Sequence, residues 1–503
     1  MMEYWSDGVL EYWKNHKIDK SNSDANKKVA WINEIDELTS SRKWGRVNFV
    51  HSDFKRINDC AYFDYQRQRV FIRTSKTIKK NTPKPHERHN RNLRVTQNKR
   101  IVSRKCPFCK SDDLIRDVKG PHCDVQRPRV KRAFDLVITQ AGIKRKVVEC
   151  RSSIHRCQQC GGIFVPDRYK RLDMHFHGLK SWVIYQHIAY RTSFSNLEMM
   201  CKEFFGLYVY RNQLHAMKSL MAGYYRSTYQ KLLKKALSGA AMHIDETEVN
   251  LKSGKGYIWV FTSIEEVVYM YKPTRKGDFL QKILKNFRGV LISDFYNAYD
   301  SLGCPQQKCL IHLIRDMNQE LLNNPFDEEL ELVTQPFGIL LRAIIETIDQ
   351  HGLKHRHLKK HTKDVTRYFQ ILTGKTFHSD AAVDLQKRLI RYKDKLFTFT
   401  RYNGVPWNNS CAENAIKRFA YYRAGTKSAL KETGLNDYLV LLSIYQTCRY
   451  KGISFLKFLL SRERDIDSFC ENKRRRRRHA SIELYPKGFT PPYTISLRKH
   501  TLQ

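Results

Sequence analysis

No stretch of about 20 apolar residues, the length that crosses a bilayer, occurs in this 503-residue chain. Its most apolar run, FGILLRAIIETI, carries Arg342 in the middle. The start, MMEYWSDGVLEYWKNHK, has no basic leader followed by an apolar core. No membrane partner is expected. The expectation is an intracellular, cytoplasmic protein, nucleoid-associated in a bacterial host. In a reducing compartment, 13 cysteines argue for metal ligation or burial and against a disulfide framework. No internal repeat is evident. Nor is the chain low in core-forming residues: 41% are hydrophobic and 12% aromatic, enough for two to four folded domains.

Negative charge is the other shortage. Asp plus Glu number 50 against 91 Lys plus Arg, a formal net charge of +41. Such an excess repels itself in the compact state. A polyanion relieves the repulsion, and nucleic acid is the commonest one. Residues 1–65 hold Trp5, Trp13, Trp31 and Trp44 and suggest no function. Residues 66–105 are basic with little apolar content and read as a linker or a flexible arm on DNA phosphates. The run Lys473–Arg478 reads as sequence-independent phosphate binding or a solvated tail.

Between these ends the periodicity changes several times. Residues 106–160 are bracketed by two Cys pairs, with short strands expected in AFDLVI and RKVVEC. Residues 178–237 read as helices. LKSWVIYQHIAY comes first, then NLEMMCKEFFG, capped by Ser195 and ended at Gly206. A long basic helix with Leu214, Met217, Leu220 and Met221 follows. A helix-turn-helix is one reading, with Arg211 and Lys218 toward DNA; an ordinary helical bundle is the other.

From residue 240 the pattern is strand-like. MHIDETEV, GYIWVFTS and VVYMYKP are three strands, GDFLQKILKNF a helix, GVLISDF a strand, YNAYDSL a short helix and QQKCLIHL a strand. Three antiparallel strands followed by crossover-linked ones describe a mixed five-stranded α/β sheet of RNase H-like type. Residues 314–400 are helical and charged, and a helix resumes at SCAENAIKRFAYYR.

Asp245 lies in the first of these strands, beside Glu246 and Glu248, and Asp294 ends the fourth. Glu413 opens a helix 119 residues later. Adjacent strands lie about 4.8 Å apart, so neighbouring first and fourth strands would let the two aspartates share a metal. Phosphodiester cleavage needs an activated water or hydroxyl and charge neutralisation at the leaving oxygen. Two hard cations about 4 Å apart supply both, and Mg²⁺ or Mn²⁺ needs only a few carboxylates. The competing readings are an exposed strand acid for Asp245, a turn or cap for Asp294, and a Ser410–Glu413 capping box for Glu413.

The cysteines form a second constellation. Cys106 and Cys109, then Cys157 and Cys160, are two C-x-x-C pairs 47 residues apart. Four thiolates suit one structural Zn²⁺. His122, Cys123 and Cys150 are competitor ligands. Cys309 and His312 form C-x-x-H at the end of the fifth strand, with Arg315 one turn on. His312 and Arg315 read either as phosphate neighbours or as core residues. Trp407 stacks on an unpaired base or packs internally. Lys417, Arg418 and Arg423, on the helix of Glu413, are further DNA-contact candidates, Lys417 having the alternative of pairing with Glu413.

HIDET around Asp245, GVLISDFYNAY around Asp294, CLIHLIRD from Cys309 to Asp316 and NNSCAENAIKR around Glu413 occur in the order of a known family. In these segments the chain resembles the DDE transposases of the insertion-sequence-66 type, over roughly residues 100–460. The CPFC…CQQC segment resembles that family's zinc-binding segment. Two features depart from the pattern: Asn414 stands where Arg is usual, and a long basic extension precedes the zinc segment. The resemblance implies an RNase H-like core with a helical insertion, Asp245, Asp294 and Glu413 as ligands of two divalent ions, and action on the ends of a mobile element.

The domain reading is therefore 1–105, N-terminal region with basic arm; 106–177, zinc-binding segment; 178–238, helical DNA-binding domain; and 239–316, first part of the core. Then come 317–400, the insertion; 401–465, second part of the core; and 466–503, basic tail. The expected function is metal-dependent cleavage and strand transfer on double-stranded DNA, element ends and target, by a homodimer or larger assembly. The alternatives are a DNA-binding regulator with an inactive core and a structure-selective nuclease.

Overall fold

A computed structural model describes residue 90 and residues 92–116, 129–426 and 430–471, all within one compact unit, His86–Gln503. The tryptophan-rich start, most of the basic arm, His122, Cys123 and Lys473–Arg478 lie outside the described residues.

Two small sheets come first. β1 (Gln97–Arg100), β3 (Arg129–Thr139) and β4 (Gly142–Ser152) form one, in the order β1-β4-β3. The end of the basic stretch is therefore not a flexible arm: β1 pairs in parallel with β4, Gln97 beside Val148. β3 and β4 are 11 residues each, longer than the short strands expected. Flanking Lys and Arg hide the apolar alternation at their ends. Val147 through Cys150 are all buried because both faces are covered, Val147 by helices and Val148 and Cys150 by Ile101 and Tyr169. β2 (Leu114–Arg116), β5 (His155–Cys157) and β6 (Ile163–Phe164) form the second sheet.

Four helices follow: α1 (His177–Ala189), α2 (Phe194–Phe205), α3 (Arg211–Tyr224) and α4 (Arg226–Ala236). The cap of α2 is Ser193, whose Oγ accepts the Asn196 amide at 3.1 Å; Ser195 is not the cap. Gly206 ends α2 at φ +60°, a left-handed conformation that glycine adopts without steric cost. The long basic helix is broken at Tyr225, which is fully buried against Phe458. The break turns α4 onto the main sheet, where Tyr229 donates to the Tyr269 carbonyl at 2.9 Å.

The main sheet comprises β7 (Ala241–Leu251), β8 (Gly254–Thr262), β9 (Val267–Lys272), β10 (Val290–Ser293) and β11 (Gln306–Lys308) in the order β11-β10-β7-β8-β9. β7, β8 and β9 are antiparallel; β10 and β11 run parallel to β7. Ile258 through Phe261 of β8 are all buried, as in a sheet covered on both faces. α5 (Asp278–Ile283) follows β9, and Trp259 of β8 meets Phe279 of this helix and Tyr299 edge-on.

β11 ends at Lys308, earlier than expected, and α6 (Leu310–Asn323) starts at once. Buried Leu310, Leu313 and Met317 recur at helical spacing, so CLIHL satisfied either period. α7 (Glu328–His351), α8 (Thr362–Gly374) and α9 (Asp380–Leu396) complete the insertion. α10 (Ser410–Thr426), α11 (Glu432–Tyr450) and α12 (Phe455–Ser461) return to the sheet. Ser443 Oγ and Thr447 Oγ1 of α11 accept the edge amides of Tyr269 and Val267 at 3.0 and 3.1 Å, which closes the β9 edge. Among the described residues no helix is long and apolar enough to cross a membrane.

Candidate active site

β7 and β10 are neighbours, with Ile292 level with His243. Two residues further along each parallel strand stand Asp294 and Asp245. Asp245 lies within β7 and Asp294 directly follows β10, so both stand just past the last paired residues of the two strands. Asp294 Oδ1 also accepts the Tyr296 amide at 3.0 Å, so this residue shapes its turn as well.

Glu413 arrives on the first turn of α10. Its amide bonds to the Asn409 carbonyl at 3.2 Å, and its Oε1 is buried with no hydrogen-bond partner. The Ser410 hydroxyl is therefore not spent on a reciprocal cap with it. His312, on the first turn of α6, presents Nδ1 at 3.7 Å from that Oε1, and this nitrogen is also buried without a partner. His312 and Arg315 belong to a helix, not to a strand end; Arg315 is exposed one turn on.

Sequence reasoning missed the residue that ties these elements together. Asn409, fully buried, donates from Nδ2 to the Ile244 carbonyl at 2.9 Å, and its Oδ1 lies 3.1 Å from Nδ1 of buried His243. Its backbone amide donates to Cys309 Sγ at 3.1 Å. One side chain and its peptide group thus contact β7 just before Asp245, the start of α6, and the first turn of α10. Asn is a strong helix cap, and that preference was the available signal. Burial lowers His243 to about 4, so the ring is neutral and its Nδ1–H donates to Asn409. Burial pushes the Cys309 thiol up to about 11, so it remains a neutral acceptor.

Electrostatics separate the acids. Burial, followed by the charges of Glu246, Asp294 and Glu413, raises Asp245 to about 8. Asp245 therefore favours its protonated form at neutral pH unless a cation lies beside it. Glu246 is occupied: Arg275 donates to it at 2.7 and 2.9 Å, and the Tyr299 hydroxyl bonds its other oxygen. Lys308, fully buried, donates to the Asp294 carbonyl at 2.9 Å and pairs with Asp300 at 3.3 Å. The donor set at Asp245, Asp294 and Glu413 is all oxygen, with one orphaned carboxylate atom, and fits hard divalent ions.

The DNA-contact candidates divide. Arg211 is exposed, 3.2 Å from Glu198. Lys218 is corrected: only 4% exposed, it donates to the Gly434 carbonyl at 2.8 Å, and burial holds it at about 8. Arg423 is half-buried, and its Nη1 donates to Thr247 Oγ1 at 2.9 Å and to the Glu248 carbonyl. Lys417, Arg418 and Trp407 are half-buried beside the site, and the Trp407 carbonyl receives the Leu310 amide at 3.0 Å.

Cys106, Cys109, Cys157 and Cys160 form a cluster whose sulfurs all lie within 4.8 Å of one another. Cys106 and Cys160 are 3.7 Å apart, Cys109 and Cys157 3.4 Å. A tetrahedron with 2.3 Å Zn–S arms has edges of about 3.8 Å. Each pair sits on a tight turn, closed by Lys110 N to Cys106 O at 3.1 Å and by Gly161 N to Cys157 O at 2.9 Å, with Lys110 and Gly161 both left-handed. Burial would raise Cys106, but the amides of Cys109 and Phe108 outweigh it and bring the thiol down to about 7. Cys150 is buried in β4 among Ile101, Val148 and Tyr169 and is not in the cluster. The four cysteines could hold a zinc ion.

Cys309, His312 and Glu413 are a second group within 4.8 Å. The Cys309 sulfur accepts the Asn409 amide at 3.1 Å at the start of α6.

No curated protein matches the chain. The profile described as Transposase IS66 family matches residues 174–437, just over half of the chain, including all three carboxylates and excluding the cysteine cluster. The chain belongs to the IS66 family of transposases.

Proposed function

We propose that the main sheet is an RNase H-like core and that Asp245, Asp294 and Glu413 form the DDE site of a transposase that cuts the ends of a mobile element and joins them to target DNA. The observation that carries this reading is the register: Asp245 within β7 and Asp294 just after β10 each lie two residues beyond the paired His243 and Ile292 of adjacent parallel strands, and Glu413 is carried on a helix anchored to β7 through Asn409. The three acids would hold two Mg²⁺ or Mn²⁺ ions, whose chemistry when bound is to lower the pKa of the attacking water or hydroxyl and to neutralise the leaving oxygen. They do not form a group within 4.8 Å of one another, and a pair of ions about 4 Å apart asks for a wider set than one ion does.

The protein's own residues set the conditions. Arg275 and Tyr299 keep Glu246 away from the site, Lys308 fixes the Asp294 turn, and Asn409 sets the pitch of α10. On this reading α2 and α3 form the helix-turn-helix, the cysteine cluster holds a structural Zn²⁺ that stiffens a basic module, and the protein works as a dimer or larger assembly on paired ends.

The test is cleavage of a labelled duplex carrying the element's ends, with Mg²⁺ or Mn²⁺, comparing wild type with Asp294→Asn. Nicking and joining by wild type, lost in the variant while DNA binding persists, supports the proposal. Binding by both and cutting by neither with any divalent ion sinks it in favour of a regulator. Cutting without joining selects the structure-selective nuclease.

A further inference from the structure

Away from the carboxylates lies a hollow of about 480 Å³ at the junction of β1, the turn after Tyr169, the start of α1 and the ends of α3 and α12. Its wall includes Ile101, Phe176 and Tyr224, and its lining includes Lys99, Arg168 and Arg462. These cations are exposed, and none has a carboxylate partner among the described residues. Lys180, also at the hollow, is by contrast paired with Asp173. The positive charge is therefore available to a ligand.

The geometry is built. Arg462 caps α12 in a left-handed conformation, φ +62°, which is uncommon for a residue with a side chain. Its carbonyl accepts the Tyr224 hydroxyl at 2.6 Å, which fixes the tyrosine ring at the wall. His177 Nε2 bonds the Leu459 carbonyl at 2.6 Å and joins the start of α1 to α12. Burial lowers His175 and His177, so the charge comes from Lys and Arg.

An apolar and aromatic wall beneath unpaired cations suits a ligand with a flat apolar face and an attached anion. The outer backbone of a duplex offers phosphates alone, whereas an unpaired nucleotide offers both. We propose that this hollow holds an unpaired nucleotide of a DNA strand, its base against Phe176 and Tyr224 and its phosphates on Lys99, Arg168 and Arg462. The inference rests on DNA being the partner but not on the carboxylates, which line a different part of the molecule.

The test is equilibrium binding of full-length protein to a fluorescent oligothymidylate and to a blunt duplex, for wild type, the triple variant Lys99→Ala/Arg168→Ala/Arg462→Ala, and Asp294→Asn. All three hollow positions are exposed, so the triple variant should fold, and its melting curve checks this. The expected result is a selective loss. Single-strand affinity falls about 10-fold or more and the log–log salt slope by about 2, at about 0.7 per phosphate contact. Duplex affinity changes less than about threefold, and 5-iododeoxyuridine in the oligonucleotide crosslinks to Tyr224 or Phe176. Equal losses on both DNAs, or loss on neither, overturn the proposal. Because Asp294→Asn should crosslink as wild type does, failure of cleavage and failure of the hollow are read separately.

Discussion

Asn409 and His243 are joined at 3.1 Å inside the protein, two residues before Asp245 and four before Glu413. Through this contact the spacing between the first acidic strand and the third acidic helix is set by an uncharged amide that touches neither substrate nor ion. Asn409→Ala leaves the His243 N–H and the Ile244 carbonyl unpaired, at about 1–3 kcal/mol each. The melting temperature should fall by several degrees. Displacement of Glu413 by as little as about 1 Å should cost about 100-fold in cleavage. DNA affinity should stay within threefold. A cleavage rate near wild type in a protein that still melts cooperatively would refute the positioning role.

Asp245 leads to a pH prediction for the protein stripped of divalent ions. Its folded pKa, about 8, lies above the ordinary 3.8. The folded state therefore holds a proton that the unfolded state has released. Stability from this group is greatest at low pH and declines as pH rises between about 4 and 8. Asp245→Asn should remove that decline. In EDTA at pH 8 it should melt higher than wild type by a few degrees while cleaving nothing. Thermal scans at pH 6 and 8 check it; equal melting temperatures at both would place the proton elsewhere.

The cysteine cluster predicts one zinc per chain by elemental analysis. Cys106→Ser should reduce that to near zero, and Cys150→Ser should leave it unchanged, since Cys150 is packed in β4. Retention of full zinc in Cys106→Ser would show that other ligands hold the ion.

Lys218 and Arg211 sit at opposite ends of the accessibility range on one helix. Lys218→Met should leave DNA affinity and its salt dependence as they are. Arg211→Ala should reduce the salt slope by about 0.9 if that arginine meets a duplex phosphate. The Lys218 ammonium is held at about 8 by burial, below its ordinary value. The group therefore destabilises the folded state at pH 7, and Lys218→Met should melt no lower than wild type. A weakened DNA complex in Lys218→Met would contradict its burial.

Much of this arrangement is legible in the chain. Strands such as GYIWVFTS and GVLISDF have one periodic reading, and their order dictates where Asp245 and Asp294 stand. The errors cluster where a local pattern satisfies two periods or two partners. CLIHL fits strand and helix alike, and the ladder settles it by ending at Lys308. YRNQLHAMKSLMAGYY runs on helically through Tyr225, and only the buried contact with Phe458 breaks it. Ser193 and Ser195 are equivalent caps on paper. Lys218 looks like a DNA contact because its helix is basic, but its neighbours in space, Phe194 and Gly434, are remote in sequence. Asn409 was hidden for the same reason: its partners His243, Ile244 and Cys309 are 100 residues or more away.

The α11 side chains that close the β9 edge have a consequence for incomplete chains. A polypeptide ending inside the insertion would have the strands of the main sheet, Asp245 and Asp294, the cysteine cluster and α1 to α4. It would lack Glu413 and would also lack Ser443 and Thr447. The amides of Val267 and Tyr269 would then be open to the strand of another molecule. Truncation products of this protein would therefore be prone to stick together through β9, and on the proposed reading they would lack the third acid as well.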